Sequence, residues 1–153
     1  MKTQETTTFT SSSAGDTQKF AKQIGQNLAG GEVIELIGDV GAGKTTFVRG
    51  LAAGIGSESR VSSPTFTIEQ IYKGSVVLHH FDFYRLNQAG LITHELDEAL
   101  EDPKSSVVIE WAKTVQDSLP KHRITIEFDV ISESQRQLRV YLPPNSQLLK
   151  VAS

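Results

Sequence analysis

Cysteine is missing from this chain of 153 residues, and methionine and tryptophan occur once each. Without cysteine there is no disulfide framework, no Cys-ligated zinc site and no thiol nucleophile, a pattern that fits a reducing cytoplasm. Positive charge is also scarce: 15 Lys and Arg stand against 18 Asp and Glu, for a net charge of −3. That balance argues against a broad nucleic-acid surface, which is normally basic, and leaves room only for a local patch. No apolar run approaches the roughly 18 residues of a membrane span, so no membrane contact is expected. The start, Met1-Lys2-Thr3-Gln4-Glu5-Thr6, lacks the apolar centre of a signal peptide. The length suits one domain, with a core over about residues 6–143 and a tail over 144–153.

What the chain does have is Gly38-Asp39-Val40-Gly41-Ala42-Gly43-Lys44-Thr45, which fits the Walker A, or P-loop, spacing G-x-x-x-x-G-K-[ST]. Val33, Ile34, Leu36 and Ile37 precede it as a short buried strand would. Phe47, Val48, Leu51 and Ile55 follow at helical spacing. A strand–loop–helix context is the one in which this motif binds phosphate. Glycines let backbone N–H groups converge on an anion with no Cβ in the way. The helix that starts there adds its unpaired N–H groups and the positive end of its dipole. Lys44 then supplies a mobile charge for the β- and γ-phosphates, and Thr45 a hydroxyl for Mg²⁺. Thr46 stands next on the same helix start.

The remaining pattern predicts an α/β fold of three layers, P-loop NTPase-like, around a mixed parallel and antiparallel sheet. Residues 6–10 read as an edge strand. Phe20, Ile24 and Leu28 mark a helix over about 16–29, opened by Ser13 and Asp16 as a capping box and closed by Gly30-Gly31. Residues 56–65 read as a loop, 66–72 and 76–82 as a hairpin that puts antiparallel strands beside the P-loop strand. Leu91, Ile92, Leu96, Ala99 and Leu100 define a helix whose acidic residues read as a solvated face. Val107-Val108-Ile109 is a short buried strand, expected to run parallel to the P-loop strand and next to it. A short helix stops at Pro120, a hairpin covers 124–142, and Pro143-Pro144 closes the ordered region.

A P-loop alone does not complete a hydrolytic site, because metal and water need carboxylates. Asp82 ends one predicted strand and Glu110 another, so both are candidates for Mg²⁺ and the attacking water, or else ordinary strand-end carboxylates. Arg85 could pair with phosphate or with Glu110, or form a surface salt bridge. Thr65 follows Pro64 in a loop of switch-like composition. Trp111 is core, or a contact for nucleotide or partner. His79 and His80 read as structural, with no second ligand cluster nearby. No Lys is followed two residues later by Asp and no D-x-x-G occurs, so guanine recognition is unsupported and ATP is the default.

Several stretches together resemble one family. Residues 38–51, Ser63-Pro64-Thr65-Phe66-Thr67, His80-Phe81-Asp82-Phe83-Tyr84-Arg85-Leu86 and Ile109-Glu110-Trp111 match in order and spacing the segments of TsaE (YjeE), across about residues 20–130. Ala112 departs from the proline that commonly follows the Glu-Trp pair. The resemblance implies a weak ATPase that binds ATP and Mg²⁺. It would act on a TsaD- and TsaB-like heterodimer that places threonylcarbamoyl on the adenosine beside the anticodon of tRNAs reading ANN codons. The chain would then meet tRNA only indirectly, through that complex. It further implies that Lys44 and Thr45 hold phosphate and metal, that Asp82 and Glu110 serve metal and water, that Thr65 belongs to a switch, and that Trp111 lies near the nucleotide. A small-molecule kinase and a nucleotide-dependent interaction module are the competing readings. Arg123, Arg136 and Arg139 are scattered, which does not suggest a kinase lid.

Overall fold

The computed structural model describes residues 4–61, 69–84, 93–144, 146 and 148–149. The elements run β1 (Glu5–Ser11), α1 (Ala14–Gln26), β2 (Val33–Ile37), α2 (Lys44–Gly54), β3 (Glu69–Lys73), β4 (Val77–Asp82), α3 (Thr93–Glu101), β5 (Ser105–Glu110), a 3₁₀ segment (Ala112–Ser118), β6 (Ile124–Val130) and β7 (Arg136–Leu142). The strands form a seven-stranded sheet of order β1-β7-β6-β2-β5-β4-β3. β2 lies in the middle, parallel to both neighbours, β5 and β6. That position explains its unbroken apolar character, since a central parallel strand is covered on both faces. β5 is buried along its whole length.

Alternation along the strands sends side chains to two cores. On one face α1 and α2 cover Ile34, Leu36, Leu78, Val108, Ile126 and Val140. On the other, α3 and the 3₁₀ segment cover Val33, Phe81, Val107 and Ile109. These are the expected three layers. Phe47 of α2 meets Phe128 of β6 edge-on at 5.7 Å between ring centroids, fully buried, a contact that anchors the P-loop helix on the sheet. Burying one such ring stabilises the fold by roughly 2–3 kcal/mol.

The expected hairpin exists, with β3 antiparallel to β4, but it does not flank the P-loop strand. β5 lies between, parallel to β4 and to β2. The reason is burial: β5, apolar on both sides, gains most in the interior, whereas β3 leaves Ile71 46% exposed and suits an edge. α1 ends at Gln26, earlier than the glycine pair implied. Gly30 and Gly31 instead take positive φ values of 103° and 91° in the following turn, where a Cβ on Gly30 would lie 2.1 Å from the Pro103 carbonyl oxygen. The helix is capped as expected, the Ser13 hydroxyl accepting from the Asp16 N–H, while the Asp16 carboxylate returns to Ser12. Packing continues past Pro143-Pro144, for Leu148 is buried and its carbonyl accepts a hydrogen bond from the Asn27 side chain. Residues 66–68 of the expected strand and Leu91 and Ile92 of the expected helix lie outside the described residues.

Candidate functional site

β2 ends at Ile37 and α2 begins at Lys44, so the P-loop spans the gap at the carboxyl end of the central strand. Crevices at such strand ends are where open α/β sheets bind ligands. Gly41 and Gly43 adopt φ of 83° and 107°, a region open to glycine and costly for other residues, and a Cβ on either would meet no atom within 4 Å. The loop is therefore bare where a ligand would lie. No side chain caps the start of α2, which leaves its first-turn N–H groups for an anion. Gly38 has a different duty: a Cβ there would come within 3.0 Å of Phe128. Asp39 and Ala42 shape the loop through a backbone bond from the Ala42 N–H to the Asp39 carbonyl, and Ala42 is buried.

A pocket of about 450 Å³ opens over this loop, lined by Val40, Gly41, Gly43, Lys44, Thr45, Thr46, Asp82, Tyr84, Glu110 and Trp111. Two strands remote in sequence supply its acids. Asp82 and Glu110 are register partners across the parallel β4–β5 pair, so both carboxylates rise from the same face at the strand tips. Lys44, Asp82 and Glu110 are 6%, 4% and 4% exposed, a cluster of opposite charges largely withdrawn from water. The Lys44 ammonium donates to the Gly38 carbonyl, stands 3.9 Å from Glu110 Oε1 and lies 4.1 Å from the centre of the Trp111 ring. Burial lowers the Lys44 pKa from its ordinary 10.5, and the carboxylates of Glu110, Asp82 and Asp39 oppose that shift. A cation held this way by a carbonyl, a carboxylate and an aromatic face has contacts to exchange for a phosphate.

Trp111 has φ 57°, the one positive value among the described residues other than glycine. The chain turns sharply there from β5 into the 3₁₀ segment, and the indole is contacted by the Lys44 ammonium and by the Tyr84 ring, 4.8 Å away. Such a backbone costs about 1–2 kcal/mol, and side-chain contacts of this kind offset it. Asp82 accepts the Tyr84 N–H at 2.9 Å, which fixes the turn after β4. Thr65 and Arg85 lie outside the described residues.

The donor set suits a magnesium-bound triphosphate. Among the described residues no group of three or more His, Cys, Asp or Glu could hold a metal unaided. Mg²⁺ is commonly held by one or two carboxylates together with substrate phosphates and water, and the pocket has two carboxylates and the Thr45 side chain beside a bare phosphate-sized loop.

Two residues read otherwise in the sequence adjoin this site. His80 is fully buried, with Nε2 2.5 Å from Glu110 Oε2. The signal available was its place two residues before Asp82, on the same strand face. Arg136, counted among scattered arginines, donates Nε–H to the Ala42 carbonyl at 3.2 Å and Nη1 to carbonyls of the β6–β7 turn. Arg123 is bound to Glu35 and Gln116, and Arg139 to Glu127 and Asp129. His79 lies on the opposite face, between Glu69 and Ser105.

The profile of the family described as "Threonylcarbamoyl adenosine biosynthesis protein TsaE" matches residues 11–138. The chain belongs to the TsaE family. It is 36% identical over 130 residues to the tRNA threonylcarbamoyladenosine biosynthesis protein TsaE of Treponema pallidum (strain Nichols), covering 85% of this chain and 96% of that protein. It is also 36% identical over 124 residues to the protein of the same name from Bacillus subtilis (strain 168), covering 80% and 77%. The crystal structure of Bacillus subtilis YdiB matches over 100% of both chains, with a TM-score of 0.79 at 27% identity. TsaE membership agrees with the nucleotide-binding P-loop and with the α/β fold read from the sequence. Among the described residues no helix is long and apolar enough to cross a membrane.

Proposed function

We propose that this TsaE-family chain binds and hydrolyses ATP with Mg²⁺ as a subunit of the apparatus that makes threonylcarbamoyladenosine in tRNA, in the cytoplasm. In this reading it acts on a TsaD- and TsaB-like pair that carries out the transfer. The observation that carries the proposal is the convergence of Lys44, Thr45, Asp82 and Glu110 on one pocket over the P-loop.

The N–H groups of the loop between Gly38 and Gly43, with those of the first turn of α2, cradle the β- and γ-phosphates. Lys44 exchanges the Gly38 carbonyl for a phosphate oxygen. Thr45 and Asp82 hold the magnesium, and Glu110 shares in that or orients the water, accepting its proton. The metal, when bound, supplies positive charge to the phosphate oxygens as negative charge shifts toward the leaving group. Trp111 closes one wall against the nucleotide, and Thr65 acts as a switch element. Engagement of Arg123, Arg136 and Arg139 in contacts within the fold speaks against a kinase lid built from them.

Purified protein should bind ATP and turn it over slowly, and turnover should rise when TsaD- and TsaB-like proteins are added. Fast turnover by the isolated chain, unchanged by those partners, would contradict the proposal. So would phosphate transfer to a small acceptor.

A further inference from the structure

His80 is fully buried on β4, and its two ring nitrogens have very different surroundings. Nε2 lies 2.5 Å from Glu110 Oε2. Nδ1, just as buried, has no hydrogen-bond partner among the described residues. An ionised carboxylate only accepts hydrogen bonds, so the proton on the facing nitrogen must belong to His80. The contact therefore assigns a proton to Nε2, and with it an asymmetry in Glu110: Oε2 is taken by the imidazole, and Oε1 is left on the side of Lys44, 3.9 Å from its nitrogen.

Register explains how the ring comes to be there. His80 is paired with Val108 and Asp82 with Glu110, so His80 and Asp82 rise from one face of β4 with the Glu110 carboxylate beside them on β5. Val108 lies in the core beneath α2, so His80 sits one step deeper than the pocket, in a layer water does not reach. A carboxylate at a strand tip has two χ angles and a terminal rotation to lose. One strong hydrogen bond from a rigid, packed ring removes most of that freedom.

We propose that His80 is a positioning residue: it donates Nε2–H to Glu110 Oε2, fixing that carboxylate so that Oε1 faces the pocket. It touches neither phosphate nor metal and acts through Glu110. The proposal rests on reading the pocket as a Mg²⁺–ATP site, but the contact itself can be tested apart from that reading.

Two variants separate positioning from packing. His80→Phe keeps a ring of similar shape and deletes the donor; His80→Gln places an amide N–H near the position of Nε2. With TsaD- and TsaB-like proteins present, His80→Phe should lower ATP turnover by about 10- to 100-fold, the usual cost of losing a group that orients a reacting one. Its affinity for ATP in EDTA should stay within about twofold of wild type, because the phosphate cradle is untouched. His80→Gln should recover most of the loss. Equal losses in both variants, or turnover unchanged in His80→Phe, would overturn the proposal while leaving the ATPase reading intact. Independently, nitrogen NMR of the histidine-labelled wild-type protein should show His80 protonated at Nε2, with the Nε2 resonance moving in Glu110→Ala. An Nε2 without a proton, or no response to Glu110→Ala, would sink the proposal. That measurement decides it even if the protein binds no nucleotide, the result that would defeat the ATPase reading instead.

Discussion

Asp82 and Glu110 stand opposite each other across the β4–β5 pair, two carboxylates on one face with Lys44 as the neighbouring cation. Like charges paired across a sheet repel by a few tenths to about 1 kcal/mol, so the ligand-free fold carries a tension that a divalent cation would relieve. Asp82→Asn should therefore leave the ligand-free protein as stable as wild type or more so. The same change should shrink the rise in melting temperature produced by Mg²⁺ with ADP. Thermal unfolding of both proteins, with and without Mg²⁺ and ADP, reads both effects. A large loss of stability in the ligand-free variant would mean that the Asp82–Tyr84 turn, not the metal, explains the buried carboxylate.

Glu110→Gln keeps the size of the side chain and an oxygen for His80 to bond. If Glu110 serves the water, ATP should still bind while turnover falls by about 100- to 10,000-fold, the range for losing a general base. Isothermal titration and a phosphate-release assay with partner proteins present measure the two separately. Full turnover in this variant would remove Glu110 from the reaction.

Lys44→Ala acts on binding itself. A charge-assisted hydrogen bond to phosphate contributes about 1.5–3 kcal/mol, so ATP affinity should weaken roughly 10- to 150-fold. Trp111 is the only tryptophan and lies against Lys44, so its fluorescence reports the departure of the ammonium. The emission change on adding ATP to wild type should be largely lost in Lys44→Ala. An identical change in both would show that the indole senses nucleotide by another route.

Local pattern made the P-loop legible. Its glycines, lysine and threonine are adjacent in sequence, and the flanking strand and helix declare themselves by period. Asp82 and Glu110 were legible as strand-end acids, because a strand's last residue points to the ligand edge whatever its neighbours. Their pairing was not. It depends on β5 lying between the hairpin and β2, a choice made by burial across the whole sheet. For the same reason the partner of His80, on another strand 30 residues away, and the Ala42 carbonyl bonded by Arg136, 94 residues away, left no local trace. Thr65 and Arg85, candidates from their motifs, lie outside the described residues.

Asp102 offers a pH test away from the pocket. The Lys104 N–H, and then the Ser105 hydroxyl, hold its carboxylate below its ordinary pKa of 3.8. A carboxylate depressed in the fold contributes stability that is present above its unfolded pKa and lost as pH falls through the folded value. Asp102→Asn should thus be less stable than wild type at neutral pH, and the gap should close as pH drops below about 3.8. Denaturant melts of both proteins across that interval give the comparison. A gap that stays constant with pH would assign the difference to shape rather than charge.

A demand of the fold that bears on the site lies between α1 and α2. At Gly50 a Cβ would sit 2.4 Å from the Gln18 carbonyl oxygen and 2.5 Å from the Ala21 Cβ; at Gly54 it would sit 2.4 Å from the Lys22 carbonyl oxygen; at Gly25, 2.5 Å from the Leu51 carbonyl oxygen. Glycines on both helices thus let the two backbones touch, and the contacts with carbonyl oxygens are with backbone, which cannot rotate away. Gly50→Ala should destabilise the protein by about 1–3 kcal/mol or more by overpacking, although alanine is the better helix former. Gly15→Ala is the control: it lies in the first turn of α1 with its nearest neighbour at 3.6 Å, and should stabilise by about 0.4–1 kcal/mol. Because α2 begins at Lys44 and Thr45, a shift of that helix also moves the phosphate cradle. Gly50→Ala should therefore weaken ATP binding even where the variant remains folded, and Gly15→Ala should not. Opposite signs of the two alanine substitutions in denaturant melts, with loss of affinity in only one, would establish that helix contact as what sets the position of the site. Equal and small effects would place that control elsewhere.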